Sequence, residues 1–312
     1  MQLGITEVQN NCLKGRFLLS RDLAHDRTKQ VSNVSYQLQF YFETDSEHYK
    51  VDTIINFELL TLCDLIIECG VFSIQSLSVN SNEPLSMNQI KEIWKENALY
   101  IPKELLIKGA NTLTIKTTSL FSRDGSAFHS YTRHQSGEQF CYTVSPPNYA
   151  HLIYPCFDQP DIKATFDLKV LAPREWVVIS NTPVLETKSE TFLKFFQGNQ
   201  RLWQFKTTPK LSTYLFSIAA GNFKEIAPKK TTQIPMKLYC AGYKYSFLIN
   251  QSEEFFNLIE LGINFYSKFF GTPFPFEKYD QVFCPEFKFM AMENPGMVCM
   301  TENHIYMSQV SD

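Results

Sequence analysis

Between Val34 and Val170 the chain is a succession of short runs in which apolar residues recur at every second position. The clearest are Tyr36-Gln-Leu-Gln-Phe-Tyr-Phe42, Asp52-Thr-Ile-Ile-Asn-Phe-Glu58 and Asn111-Thr-Leu-Thr-Ile-Lys-Thr117. A period of two sends alternate side chains to opposite faces of a strand, so each run can bury one face and leave the other in water. Turn-forming clusters such as Asn80-Ser-Asn-Glu-Pro84 separate the runs, which predicts an antiparallel, all-β organisation. The pattern continues through Glu175-Trp-Val-Val-Ile-Ser180, Leu202-Trp-Gln-Phe-Lys206 and Tyr214-Leu-Phe-Ser-Ile218. It then meets a polar stretch with Lys and Pro from Lys224 to Gln233, where a boundary between two units is expected.

Beyond that stretch the spacing predicts a helix. Asn250 and Ser252 are candidate caps, Glu253 and Glu254 lie in the first turn, apolar residues recur from Phe255 to Phe270, and Gly271 with Pro273 ends it. Gln281-Val-Phe-Cys284 and Gly296-Met-Val-Cys-Met300 read as two buried strands flanking a Met-Ala-Met-Glu-Asn turn. A length of 312 residues that is 44% hydrophobic, with 27 Phe and 15 Tyr, is ample for one large or two ordinary cores.

A net charge of -3 with scattered Lys and Arg argues against a nucleic-acid partner. No apolar run reaches the roughly 18 residues that a membrane span needs, and the opening Met-Gln-Leu-Gly-Ile-Thr-Glu lacks the basic and apolar regions of an export signal. No membrane partner is therefore expected, and the expected location is cytoplasmic. The eight cysteines, Cys12 among them, form no C-x-x-C pair and read as reduced thiols, most of them in apolar surroundings.

Four longer blocks are more specific than any periodicity: Tyr154-Pro-Cys-Phe-Asp-Gln-Pro-Asp-Ile-Lys-Ala-Thr-Phe166, Leu211-Ser-Thr-Tyr214, Phe270-Gly-Thr-Pro-Phe-Pro-Phe276, and the segment from Tyr279 to Gly296 that contains Met290-Ala-Met-Glu-Asn294. With these blocks in this order, the chain resembles the first part of a bacterial aminopeptidase N, a gluzincin zinc metallopeptidase. The resemblance implies a mainly β chain. Residues 1–228 would form an N-terminal antiparallel β-saddle domain, and residues 229–312 the initial β-sheet and first helix of a thermolysin-like α/β domain.

None of the six histidines, His25, His48, His129, His134, His151 and His304, begins H-E-x-x-H, the helical spacing that puts two imidazoles and a water-activating glutamate on one zinc. No zinc ligand is assigned, and no cofactor is expected in this chain. By the resemblance, zinc belongs to a full-length member, whose zinc helix would start shortly after Asp312, so the chain is expected to be a truncated portion that is inactive alone.

The resemblance also implies a substrate site at Met290, Ala291, Met292, Glu293 and Asn294. Glu293 would hold the α-ammonium of a peptide by a charge-assisted contact, while the backbone from Met290 to Met292 would pair with the peptide as an added strand. Two departures stand out. Met290 replaces the motif's first glycine, and Val144-Ser-Pro146 stands where the family carries a Gln-x-Glu segment, so Pro146 takes the place of a second carboxylate. A basic pair that commonly follows is His151-Leu152 here, while Asp158 and Lys163 are read as holding turns. Two functions are therefore carried forward. One is the N-terminal part of a zinc-dependent aminopeptidase; the other is a non-catalytic peptide- or protein-binding module. The expected partners are a peptide N-terminus and either the missing C-terminal half or a protein that covers the incomplete domain.

Overall fold

The computed structural model describes residues 8–9, 19–80, 83–185 and 199–307. Cys12, the opening heptapeptide, Ser81, Asn82 and the chain end at Asp312 lie outside the described residues. The largest sheet has seven strands in the order β1 (Val8–Gln9), β5 (Ser73–Val79), β8 (Gly109–Leu120), β3 (His48–Leu59), β2 (Val31–Tyr41), β11 (Thr165–Pro173) and β13 (Gln200–Gln204). Its pairings are antiparallel except β2 with β11, which is parallel. A three-stranded sheet, β4 (Leu65–Glu68), β7 (Ala98–Ile101) and β6 (Trp94–Lys95), packs in the same unit. So do helices α1 (Arg21–Gln30) and α2 (Met87–Ile93).

The alternation in the sequence is the alternation of burial. Along β2 and just past it, Tyr36, Leu38, Phe40 and Phe42 are buried, and across β3 they meet Tyr49, Val51, Ile55 and Phe57. Phe42, Tyr49, Phe121 and Phe128 form an aromatic cluster with ring centroids 4.8–6.4 Å apart, several of them edge to face, the geometry that ring quadrupoles favour.

A four-stranded sheet, in the order β12 (Val177–Ser180), β14 (Ile218–Gly221), β10 (Gln139–Val144) and β9 (Ala127–Thr132), joins the two halves of the molecule. Successive residues serve different cores: Cys141, Val178, Ile218 and Ala220 face the first unit, whereas Phe140, Tyr142, Val144, Ile179 and Ala219 face the second. A sheet buried on both faces needs near-continuous apolar strands, which Phe140-Cys-Tyr-Thr-Val144 supplies. The second unit is a five-stranded sheet, β15 (Lys224–Ile226), β16 (Leu238–Cys240), β17 (Asp280–Cys284), β19 (Met297–Thr301) and β18 (Ala291–Met292), with helix α3 (Tyr245–Phe270) packed on it. The polar stretch from Lys224 to Gln233 thus carries β15 at its start.

Two local expectations are corrected. The helix begins at Tyr245, not after Asn250 or Ser252, because Leu248 is already buried against the sheet and Ser252 bonds back to the Ile249 carbonyl at 2.8 Å instead of capping. Tyr214-Leu-Phe-Ser-Ile218 is not one strand: Thr213–Leu215 form a 3₁₀ turn, held by the Tyr154 hydroxyl on the Thr213 carbonyl at 3.1 Å, and β14 starts only at Ile218. The expected stop is observed, with Gly271 in the left-handed region at φ 64° ending α3. None of the described helices is long and apolar enough to cross a membrane.

Candidate amine-recognition site

β17 ends at Cys284, and the chain then leaves the sheet, returns as β18 and turns through Glu293-Asn-Pro-Gly296 into β19. β18 lies antiparallel to β19, with Ala291 opposite Met300 and Met292 opposite Cys299, and the Thr301 N–H donates to the Met290 carbonyl at 3.2 Å. As the last strand of its sheet, β18 leaves its outer backbone edge unpaired among the described residues, a ready template for a docking strand.

Glu293 follows directly. Its carboxylate is exposed and has no hydrogen-bond or ion-pair partner among the described residues. Asn294 is buried, its carbonyl accepting the Met297 N–H at 3.1 Å while its Nδ2 has no partner. Met292 packs into the core between the two units. Ala291 is exposed, and Met290 is 70% exposed, so the long side chain standing in place of glycine lies on the open surface beside the strand edge.

The turn is held from both sides. Tyr142 on β10 donates its buried hydroxyl to the Pro285 carbonyl at 2.7 Å, and its ring packs on Phe287 with centroids 5.6 Å apart. Asn181, one residue past β12, donates to the Pro295 carbonyl at 2.9 Å. Lys278 donates to the Gly296 carbonyl at 2.9 Å and to Asp280 at 2.6 Å. Burial pulls the Lys278 ammonium down and pushes the Asp280 carboxyl up, and each charge partly offsets the shift of the other. Gly296 sits at φ 74°, a conformation that glycine adopts freely, and the Asn181 carbonyl approaches it too closely for a β-carbon. Neither Tyr142 nor Asn181 was singled out by sequence, since nothing next to them in the chain marks partners 143 and 114 residues away.

The other positions fall elsewhere. Val144 lies in the same interface core as Met292, whereas Pro146 begins a turn in which its carbonyl accepts the Tyr149 N–H at 3.0 Å. His151 is turned into the β unit, with Nδ1 2.7 Å from Asp158. Asp158 also accepts from the Thr213 hydroxyl, and its N–H donates to Glu68, so this carboxylate is a structural hub; Lys163 is exposed. Among the described residues no group of three or more His, Cys, Asp or Glu side chains could hold a metal ion. The donor set therefore does not fit zinc, and no chemical step is derived through that metal.

Residues 32–215 match the family model described as the peptidase M1 N-terminal domain, and residues 256–311 match the peptidase family M1 domain. The chain is 26% identical over 303 residues to aminopeptidase N of Streptomyces lividans, covering 94% of this chain and 33% of that protein. It is 25% identical to aminopeptidase M1 of Arabidopsis thaliana, over 76% of this chain and 27% of that protein. With aminopeptidase N of Acetobacter pasteurianus the identity is 32%, over 63% of this chain and 53% of the relative. The chain thus spans about a third or less of the first two relatives. A family model that covers the β unit and a second one that reaches through the Glu293 turn agree with the geometry, and the chain belongs to the peptidase M1 family.

Proposed function

We propose that this chain supplies the amine-recognition part of a zinc-dependent aminopeptidase: an extended peptide pairs with the free edge of β18, and its α-ammonium is held by Glu293. The carrying observation is an exposed, unpartnered carboxylate at the end of an open edge strand, on a turn fixed from both sides. A carboxylate so placed distinguishes a charged peptide N-terminus from an internal residue by a charge-assisted hydrogen bond. The names of the relatives support the same substrate class. A cytoplasmic location belongs to the proposal, supported by six buried, unpaired thiols.

Peptide-bond hydrolysis, in this proposal, needs further polypeptide to bring the zinc ligands, and the 312-residue chain alone does not turn over. That polypeptide would also cover the bare face of α3, where Leu258, Leu261, Phe265 and Phe269 are 60–70% exposed, more contiguous apolar surface than a free domain usually tolerates.

In titrations with a short peptide bearing a free amine and its N-acetyl counterpart, Glu293→Gln is expected to weaken the free-amine peptide about tenfold, the scale of one charge-assisted bond. The acetylated peptide should be unaffected. An unchanged preference in the variant would remove Glu293 from the site.

A second function, a peptide-binding module without catalysis, is motivated by Met290, Val144 and Pro146. Complementation separates the two. Adding the polypeptide that follows the matched region in the Streptomyces relative and assaying amino-acid anilides is expected to yield turnover, and Leu261→Glu with Phe265→Glu on α3 should abolish it. Absence of turnover with a stably bound complement would favour the module.

A further inference from the structure

We propose that Tyr142 and Asn181 are positioning residues for the peptide-docking strand, so that the four-stranded sheet of the N-terminal unit sets the register of β18 and the aim of Glu293. This rests on the amine-recognition role of Glu293. Both residues act through the backbone of the segment from Pro285 to Gly296, not on the peptide itself.

β18 contributes only Ala291 and Met292 to its ladder. Pairing of that length is marginal by itself, yet a strand that docks a peptide must hold its register closely to present a carboxylate. The restraint comes from outside the sheet. At the upstream end the Tyr142 hydroxyl, on a fully buried side chain, holds the Pro285 carbonyl. At the downstream end Asn181, 4% exposed, holds the Pro295 carbonyl.

Asn181 cannot swing away, because its amide also donates to the Leu215 carbonyl and accepts the Ser217 N–H, each at 2.9 Å. Tyr142 lies on β10, while Leu215 and Ser217 lead into β14, the neighbouring strand. One rigid sheet therefore grips both ends of the excursion. A further polar contact between this sheet and the excursion, Glu286 with His129 at 3.8 Å, is long, and the Glu286 side chain is 58% exposed, so it restrains little. Lys206 with Glu277 at 2.6 Å also joins the two units, but it is exposed and touches neither end of the excursion. Lys278, two residues before β17, secures the Gly296 carbonyl from within the second unit but leaves the upstream end untouched.

Tyr142→Phe tests this cleanly, since it keeps the ring on Phe287 and removes only the hydroxyl; Asn181→Asp, which keeps an acceptor for Ser217 and loses both donations, is the second variant. Two quantities are read: hydrogen exchange of the Thr301 amide, which reports the β18–β19 ladder, and the preference for free-amine over N-acetyl peptide. The expected result for Tyr142→Phe is Thr301 exchange about five- to tenfold faster, the scale of one hydrogen bond, with exchange in β3 and β8 unchanged. The free-amine preference should fall several-fold while acetyl-peptide affinity holds. Uniformly faster exchange would mean a merely structural role and overturn the proposal, as would unchanged Thr301 exchange or an unchanged preference. If Glu293→Gln leaves the preference intact, the amine-recognition role has failed, and Thr301 exchange still decides whether these residues position the strand.

Discussion

Replacing Arg27 by methionine is expected to destabilise the fold by about 3–5 kcal/mol at neutral pH, the usual consequence of stranding one member of a buried ion pair. Arg27, on α1, is 1% exposed. Its Nη1 reaches both oxygens of Glu68 at 2.8 Å, and its Nε donates to Gln159 at 2.9 Å. Glu68 in turn accepts the Asp158 N–H at 3.1 Å, so the pair ties α1 and β4 to the Phe157-Asp-Gln-Pro160 block. Burial pushes the Glu68 carboxyl up, and the Arg27 guanidinium pulls it back. Without Arg27 the two largest downward influences are gone, burial is opposed only by backbone hydrogen bonds such as that from the Asp158 N–H, and the folded-state value rises further above that of the unfolded chain. An acid raised in this sense binds its proton more tightly when folded. Its contribution is complete below the unfolded value, near 4.3, and is lost as pH climbs through the folded one. The stability gap between Arg27→Met and the parent should therefore be widest at pH 7–8 and shrink towards pH 5. Urea unfolding of both proteins at pH 5 and pH 8 measures it. Adding Glu68→Leu to Arg27→Met should recover most of the loss at pH 8; a single variant as stable as the parent there would contradict this account.

What the sequence discloses of this fold follows a physical divide between near and far. The strands around Tyr36–Phe42, Asp52–Glu58 and Asn111–Thr117 are legible because burial on one face writes a period of two into adjacent residues. The end of α3 is legible because Gly271 and Pro273 are local stops. Its start was misplaced because Leu248 and the back-bonded Ser252 belong to a helix held by tertiary burial, which overrides capping preference. α1 went unread although Ser20 caps it, since a helix whose only buried residue is Arg27 has no apolar stripe. α2 carries a capping box of Ser86 with Gln89, a signal that could have found it. For the candidate site, the motif draws attention to Glu293 and the residues before it, which the structure forms into the edge strand β18. The side chains that hold them, Tyr142, Asn181 and Lys278, have partners decided by how two sheets meet, and that meeting leaves no local trace.

Gly296→Ala should expose that meeting directly, with an expected loss of about 2–4 kcal/mol from left-handed strain plus overpacking. At φ 74° a β-carbon would lie 2.0 Å from the Asn181 carbonyl oxygen and 3.5 Å from that of Lys278. Both neighbours are backbone atoms, which cannot rotate aside as a side-chain tip can. Gly296 cannot retreat either, because its own carbonyl is held by the Lys278 ammonium at 2.9 Å and the Asp280 N–H at 3.0 Å. Relief has to come from separating the two units or from displacing the turn, and each breaks the Asn181 hold on Pro295 and shifts Glu293. Gly262, inside α3, is the natural control, for nothing lies within 4 Å of a β-carbon there. Gly262→Ala should be neutral or stabilising by up to about 1 kcal/mol, the helix preference of alanine over glycine. Denaturant unfolding of the two variants side by side measures the contrast. Equal stabilities would mean that the turn floats free of Asn181, and the edge of β18 would then owe its geometry to the five-stranded sheet alone.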